Sequence, residues 1–242
     1  MKYIILLILF VPCIVFANSG SVKKFKIKKL TDNVYLHISS KRVEPWGGVE
    51  ASGLVVINGT EAHMIDTPWT TPATKELVEW IEAKGLTLKN TVVTHFHEDA
   101  SNDLPFLNDL KVKTYATSLT NKLLKSKQKE TSSKEISSNT FELIDGVISI
   151  FYPGAGHTED NIVVWLPKEN ILFGGCFVRS LSAKSLGNTE DAVISEWANS
   201  IQKVINRYPD IKLVVPGHGK VGDSSLLTHT QKLTLSAKSS SK

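Results

Sequence analysis

The chain has 242 residues, 41% of them apolar and 21% charged, which is the composition of a soluble globular protein long enough to bury a substantial core. The formal net charge is only +4, and the lysines in KKFKIKK, KLLKSKQK and the tail are not interleaved with aromatics. That excludes a nucleic-acid groove and leaves a solvated basic face.

The chain opens with Met1-Lys2 followed by YIILLILFVPCIVFA and then NSGS. One positive charge, a short apolar stretch and a small Ala17 before polar residues predict a secretory signal peptide over residues 1–17. The remaining residues 18–242 are expected to form a single domain. The apolar run is too short to span a bilayer comfortably, so no membrane segment is expected in the mature form. Pro12 precedes Cys13 where a lipid-anchored cysteine would follow a small residue, which argues against an anchor. Once Cys13 is removed, Cys176 is the sole cysteine. It cannot form an internal disulfide, and is therefore buried and inert, reactive, or bound to a metal.

From residue 25 onward, FKIKKL, NVYLHIS, SGLVVING and EAHMIDT read as strands, with a break at EPWGG. The period then changes. Thr70 or Thr71 can cap a helix, Pro72 suits its first turn, Leu77, Val78 and Ile81 share a face, and Gly85 ends it. TVVTH reads as a strand and SLTNKLLKSKQKE as a helix. FELIDG, VISIFYPGAGH, NIVVWLP and NILFGGC read as further strands. DAVISEWANSIQKVINRYP predicts an amphipathic helix with Ile194, Trp197, Ile201, Val204 and Tyr208 on one side. KLVVPGHG is a last strand and SLLTHTQKLTLSAK a closing helix. Two successive groups of strands and helices predict an α+β fold in which two sheets pack and helices cover them.

Four strand-like runs end at a metal-ligand type: TVVTHFHED at 91–99, ISIFYPGAGH at His157, NILFGGC at Cys176 and KLVVPGH at His218. Imidazole, thiolate and carboxylate together are the donors Zn²⁺ takes. Their number fits two metals better than one: His95, His97 and His157 for the first, Asp99, Cys176 and His218 for the second. On an extended segment His95, His97 and Asp99 would share a face, and Glu98 would point to solvent. His37, His63 and His229 receive no role.

HFHED at 95–99, GAGHTEDNIV at 154–163, FGGCFVR at 173–179, LGN at 186–188, PGHGKVG at 216–222 and IDTPW at 65–69 together resemble the metallo-β-lactamase superfamily. Within it the chain looks like the class B β-lactamases of subclass B1, from about Val34 to near the C-terminus. The resemblance implies an αββα sandwich of two packed mixed sheets with helices outside, two zinc ions per subunit and a periplasmic location. It also implies a monomer, no nucleic-acid partner, and small-molecule β-lactam substrates: penicillins, cephalosporins and carbapenems. Relatives of other activity typically follow the aspartate with a further histidine and carry a bridging aspartate in place of cysteine. Here Ala100 and Cys176 stand at those positions.

The resemblance further implies roles. A zinc-bound hydroxide would attack the lactam carbonyl, with Asp99 orienting it and the second zinc stabilising the leaving nitrogen. Arg179, where many relatives have Lys, would bind the substrate carboxylate, and Asn188 would polarise the lactam carbonyl or serve as a turn residue after Gly187. Trp46 would belong to a hairpin covering the substrate. Asp66 would either orient a ligand or cap the helix that follows. Asn102-Asp103 stands where many such relatives have glycines, and is expected to alter support of the Asp99 loop. The alternatives are another zinc hydrolase of this fold, a lactonase or thioesterase, or a non-catalytic periplasmic zinc binder. Three SxxK matches lack the SDN and KTG partners of serine β-lactamases.

Overall fold

In a computed structural model that describes residues 25–240, two mixed β-sheets pack face to face and helices cover their outer surfaces. The expected signal peptide and Cys13 lie outside the described residues. The first sheet contains β1 (Lys26–Lys29), β2 (Val34–Val43), β3 (Gly47–Asn58), β4 (Glu61–Ile65), β5 (Thr87–Val92), β6 (Lys113–Thr117) and β7 (Lys134–Ile136), in that spatial order. Pairing is antiparallel as far as β4 and parallel beyond it. The parallel steps need crossovers. α1 (Thr71–Ala83) connects β4 to β5, and α2 (Glu98–Ser101) with α3 (Leu104–Asp109) connects β5 to β6. α4 (Ser118–Ser126) lies between β6 and β7.

The second sheet holds β8 (Thr140–Ile144), β9 (Ile148–Phe151), β10 (Val163–Leu166), β11 (Ile171–Arg179) and β12 (Leu213–His218), ordered β12-β11-β10-β9-β8. α5 (Ile194–Arg207) precedes β12 and α6 (Ser225–Ser240) follows it.

Strand alternation explains the layers. Leu54 and Val56 of β3 point into the core between the sheets, with Ile65, Val92, Ile150, Val164 and Phe173. Val55, between them, faces outward and packs with Met64 against Leu77 and Ile81 of α1. A strand covered on both faces therefore reads as the continuous apolar run LVVI. On the opposite side Trp197, Ile201 and Val204 of α5 recur at helical spacing and pack on Leu172, Phe177 and Val214. α1 carries Pro72 in its first turn and stops before Gly85, whose φ of +72° suits a left-handed stop.

The structure departs from the sequence reading where elements are short. β5 begins at Thr87 and ends at Val92, so His95 and His97 lie beyond the strand in a bend. Asp99 sits in the four-residue turn α2, and alternation along an extended segment is therefore not what brings it to His95. β9 ends at Phe151, well before His157. Cys176 is inside β11 rather than at its end, and the register shifts on both sides of Gly175. α3, β6 and β7 have no counterpart in the sequence reading. The hairpin of β2 and β3 is longer than predicted, running to Val43 and restarting at Gly47.

Candidate metal centre

Four segments meet at one edge of the sandwich: the bend after β5, the loop after β9, the bulged part of β11 and the end of β12. The bend is held from below by Asp66. Thr94 N and Thr94 Oγ1 donate to its two carboxylate oxygens at 2.7 and 2.8 Å, and Thr94 Oγ1 is 3.3 Å from His95 Nδ1. Asp66 thus supports the ligand loop; no side-chain bond caps α1, whose N-cap residue is Thr70. It adopts φ of +58°, which aspartate tolerates better than most residues. Burial pushes its carboxyl up to about 7, against the opposing effects of His95 and the Thr94 bonds.

The rings of His95, His97 and His157 stand 4.9 to 5.1 Å apart, centre to centre. One ring nitrogen from each falls within 4.8 Å of the others. His97 Nδ1 is 3.2 Å from His157 Nε2, while its other nitrogen, Nε2, meets Asp191 Oδ2 at 2.9 Å. Nε2–H donates a hydrogen bond to the carboxylate, which leaves Nδ1 as the lone-pair nitrogen facing the cluster.

The second group is as tight. Asp99 Oδ2 lies 3.0 Å from Cys176 Sγ and 3.0 Å from His218 Nε2, and those two atoms are 3.3 Å apart. His218 Nδ1 donates to the Glu50 carbonyl at 2.7 Å, so Nε2 is the nitrogen presented to Asp99. His95 bridges the groups, its Nε2 being 3.4 Å from Asp99 Oδ1. Gly217 permits the close approach of β12 to β11, since a Cβ there would stand 2.5 Å from Cys176 Sγ and 2.6 Å from its backbone nitrogen.

Electrostatics point to a bound cation. Burial disfavours ionised Asp99, yet bonds from His218 and His95 hold its carboxyl well below the usual range. Burial, then the neighbouring His95 and His97, push His157 well below the ordinary imidazole value. Burial and the Asp99 carboxylate push the Cys176 thiol well up. His97 and His157 imidazoles favoured in their neutral form, an ionised carboxylate and a thiol whose proton a metal would displace are the forms in which these side chains bind a divalent ion. His95 Nε2 is buried and makes no well-formed hydrogen bond, its one polar neighbour being Asp99 Oδ1 at 3.4 Å, as suits a nitrogen available to a metal. The donor set of nitrogen, sulfur and carboxylate oxygen fits zinc.

The other expected residues are placed as follows. Arg179 ends β11 opposite His218, its backbone N–H bonded to Thr230 Oγ1. Its guanidinium lies against Gly187, where a Cβ would come within 3.1 Å. Asn188 is exposed and its Oδ1 accepts from Glu190 N at 3.1 Å, the geometry of a turn residue. Trp46 stands 60% exposed at the tip of the β2–β3 hairpin. Glu98 is not simply solvated: Lys41 and Lys129 bond its two oxygens at 2.6 and 2.7 Å. Three contributors had no role in the sequence reading. They are Asp191 on His97, the Glu50 carbonyl on His218, and Thr94 beneath His95.

Comparison with known proteins agrees with this geometry. The profile of the metallo-beta-lactamase superfamily matches residues 46–218. The metallo-beta-lactamase type 2 of Pseudomonas aeruginosa is 40% identical over 239 residues, covering 97% of this chain and 96% of that protein. That of Bacteroides fragilis is 36% identical over 209 residues, 86% of this chain and 84% of its own length. Among solved structures, VMB-1 is 78% identical with a TM-score of 0.89, covering 90% of this chain and all 100% of its own. The DIM-1 metallo-β-lactamase is 47% identical with a TM-score of 0.86 over 90% of this chain and 100% of its own. The chain belongs to the metallo-β-lactamase superfamily.

Proposed function

We propose that the protein is a zinc-dependent β-lactamase that hydrolyses the lactam amide of penicillins, cephalosporins and carbapenems, and so confers resistance to them. The observation that carries this reading is the pair of adjoining ligand groups, three histidines beside Asp99, Cys176 and His218, sharing His95 at their boundary. Membership in a family whose relatives are named metallo-beta-lactamases supports the substrate class. His95, His97 and His157 would hold one zinc, and Asp99, Cys176 and His218 a second. When bound, zinc supplies Lewis acidity and acidifies water at neutral pH.

The protein's own groups do the rest. Asp99 Oδ2 is engaged by Cys176 and His218, which leaves Oδ1, 3.4 Å from His95 Nε2, as the oxygen to orient an attacking water. Asp191 and the Glu50 carbonyl hold the outward protons of His97 and His218. Arg179, half-buried beside Cys176, is the cation for the substrate carboxylate; its planar fork matches that group. Asn188 Oδ1 is occupied by Glu190, which leaves Nδ2 to donate to the lactam carbonyl. Trp46 would cover bound substrate from the hairpin tip. Export through residues 1–17 would deliver residues 18–242 to the periplasm as a monomer.

Purified residues 18–242 assayed with nitrocefin, imipenem and a simple γ-lactone test the substrate class. Turnover of both drugs is expected. Lactone hydrolysis with no drug hydrolysis would assign the site to a lactonase, and no turnover at all to a metal binder.

A further inference from the structure

Asp103 lies outside the ligand set, at the start of α3, and is 2% exposed. A buried carboxylate needs donors, and it has three. Thr71 Oγ1 and Asn102 Nδ2 donate to Oδ1 at 2.7 and 3.2 Å, and Thr74 Oγ1 donates to Oδ2 in a short bond. Thr71 and Thr74 belong to the first turns of α1, so the carboxylate joins two separate elements. The backbone joins the same region. Asp103 N donates to Thr67 Oγ1 at 3.3 Å, and Thr67 N donates to Ala100 O at 2.7 Å.

Ala100 adjoins Asp99 in α2, a single turn of four residues. A helix that short has no stability of its own, so Asp99 is placed by whatever grips the turn. Ser101 Oγ grips it from within, bonding Phe96 O and His97 O at 3.0 and 2.9 Å. Thr67 and Asp103 grip it from outside and tie it to the first sheet and to α1. His95 and His97 precede this turn and have their own supports in the Asp66–Thr94 pair and Asp191, while His157 comes from another loop.

We propose that Asp103 is a positioning residue for the second metal position. By clamping the Asp99 turn to α1 it holds the Asp99 carboxylate against Cys176 and His218, without touching metal or substrate. The inference rests on the two-zinc reading above.

The test is a metal titration of the holoprotein and its variants against a competing chelator. It is repeated with Co²⁺, whose thiolate charge-transfer band reports the Cys176 position alone. Asp103→Ala and the pair Thr71→Val with Thr74→Val should each weaken the second metal at least about tenfold and diminish the cobalt–thiolate band. The first metal should stay within about twofold of the wild type. Asp103→Asn keeps an oxygen acceptor and an amide that can bond the threonine hydroxyls, and should restore most of the second-site affinity. Unchanged affinities in folded Asp103→Ala, equal weakening of both positions, or an Asp103→Asn as weak as Asp103→Ala would each overturn the proposal. If Asp103→Ala does not fold, the threonine pair decides by the same criteria. A wild-type chain that fails to bind two metals would refute the two-zinc reading and this inference together, whereas variants matching a two-metal wild type refute only the inference.

Discussion

His218 Nδ1 donates to the carbonyl of Glu50 at 2.7 Å, joining the last strand of the second sheet to the long hairpin of the first. The bond fixes which nitrogen of His218 faces Asp99. His97 is fixed in the opposite sense, with Nε2 spent on Asp191 Oδ2 at 2.9 Å and Nδ1 turned inward. The two histidines are therefore expected in opposite tautomers. Long-range ¹⁵N–¹H NMR of the metal-loaded protein should show an Nδ1 proton on His218 and an Nε2 proton on His97. The same tautomer at both would contradict the arrangement.

Asp191 holds His97 from outside the ligand set, and partners of this kind are worth about 10–100-fold in metal affinity. Asp191→Ala should weaken the three-histidine position by that order, and Asp191→Asn by less, because its amide oxygen still accepts. A chelator competition titration reads both. An Asp191→Ala protein with unchanged affinity would remove the residue from the site.

The ligand types and the sheets that carry them were legible in the sequence, and Asp66 was read as either orienting a ligand or capping α1; the other supports were not legible. Histidine, cysteine and glycine next to apolar runs leave a pattern, and so does LVVI in a strand covered on both faces. The turn α2 is one helical turn, too short to show a period, so HFHED read as alternating extended chain. Asp191 lies in the polar stretch TEDAV, where nothing separates a carboxylate bonded to His97 from a solvated one. The Glu50 carbonyl has no side-chain signature at all. Asn102-Asp103 did stand out, but only the threonines of α1 show what Asp103 binds.

Glu98 has its carboxyl lowered to about 2, by the Lys129 bond first and then that from Lys41. An acid depressed in the folded state stabilises it above the unfolded pKa, and that contribution fades as pH falls from about 4.5 towards 2. The three side chains are each about two-fifths exposed, so the effect is screened to roughly 0.5–1 kcal/mol. Glu98→Gln should lower the melting temperature slightly at pH 7 and match the wild type at the acid end of that window. A constant difference across the window would mean the ion pairs are not its source.

Gly217→Ala places a Cβ 2.5 Å from Cys176 Sγ and 2.8 Å from the Gly175 carbonyl carbon. Backbone blocks one side, so β12 must move away from β11. A cost of about 1–3 kcal/mol is expected, together with loss of the cobalt–thiolate band. Wild-type stability and an intact band would show that the strands have room to spare.

Arg179 is expected to act on substrate rather than on metal. Arg179→Glu should raise KM by at least about tenfold across penicillins and carbapenems, the scale of a lost charged hydrogen bond, with zinc affinity unchanged. Unaltered KM would exclude it from substrate binding.

The central claim is that hydrolysis depends on metal held by these six ligands. It is tested most directly by following imipenem turnover as zinc is returned to protein stripped with chelator. Activity should be absent at the start, rise with added zinc and level off by about two equivalents per chain. His97→Ala should stay inactive throughout. Full turnover by the stripped protein, or by His97→Ala, would contradict the account.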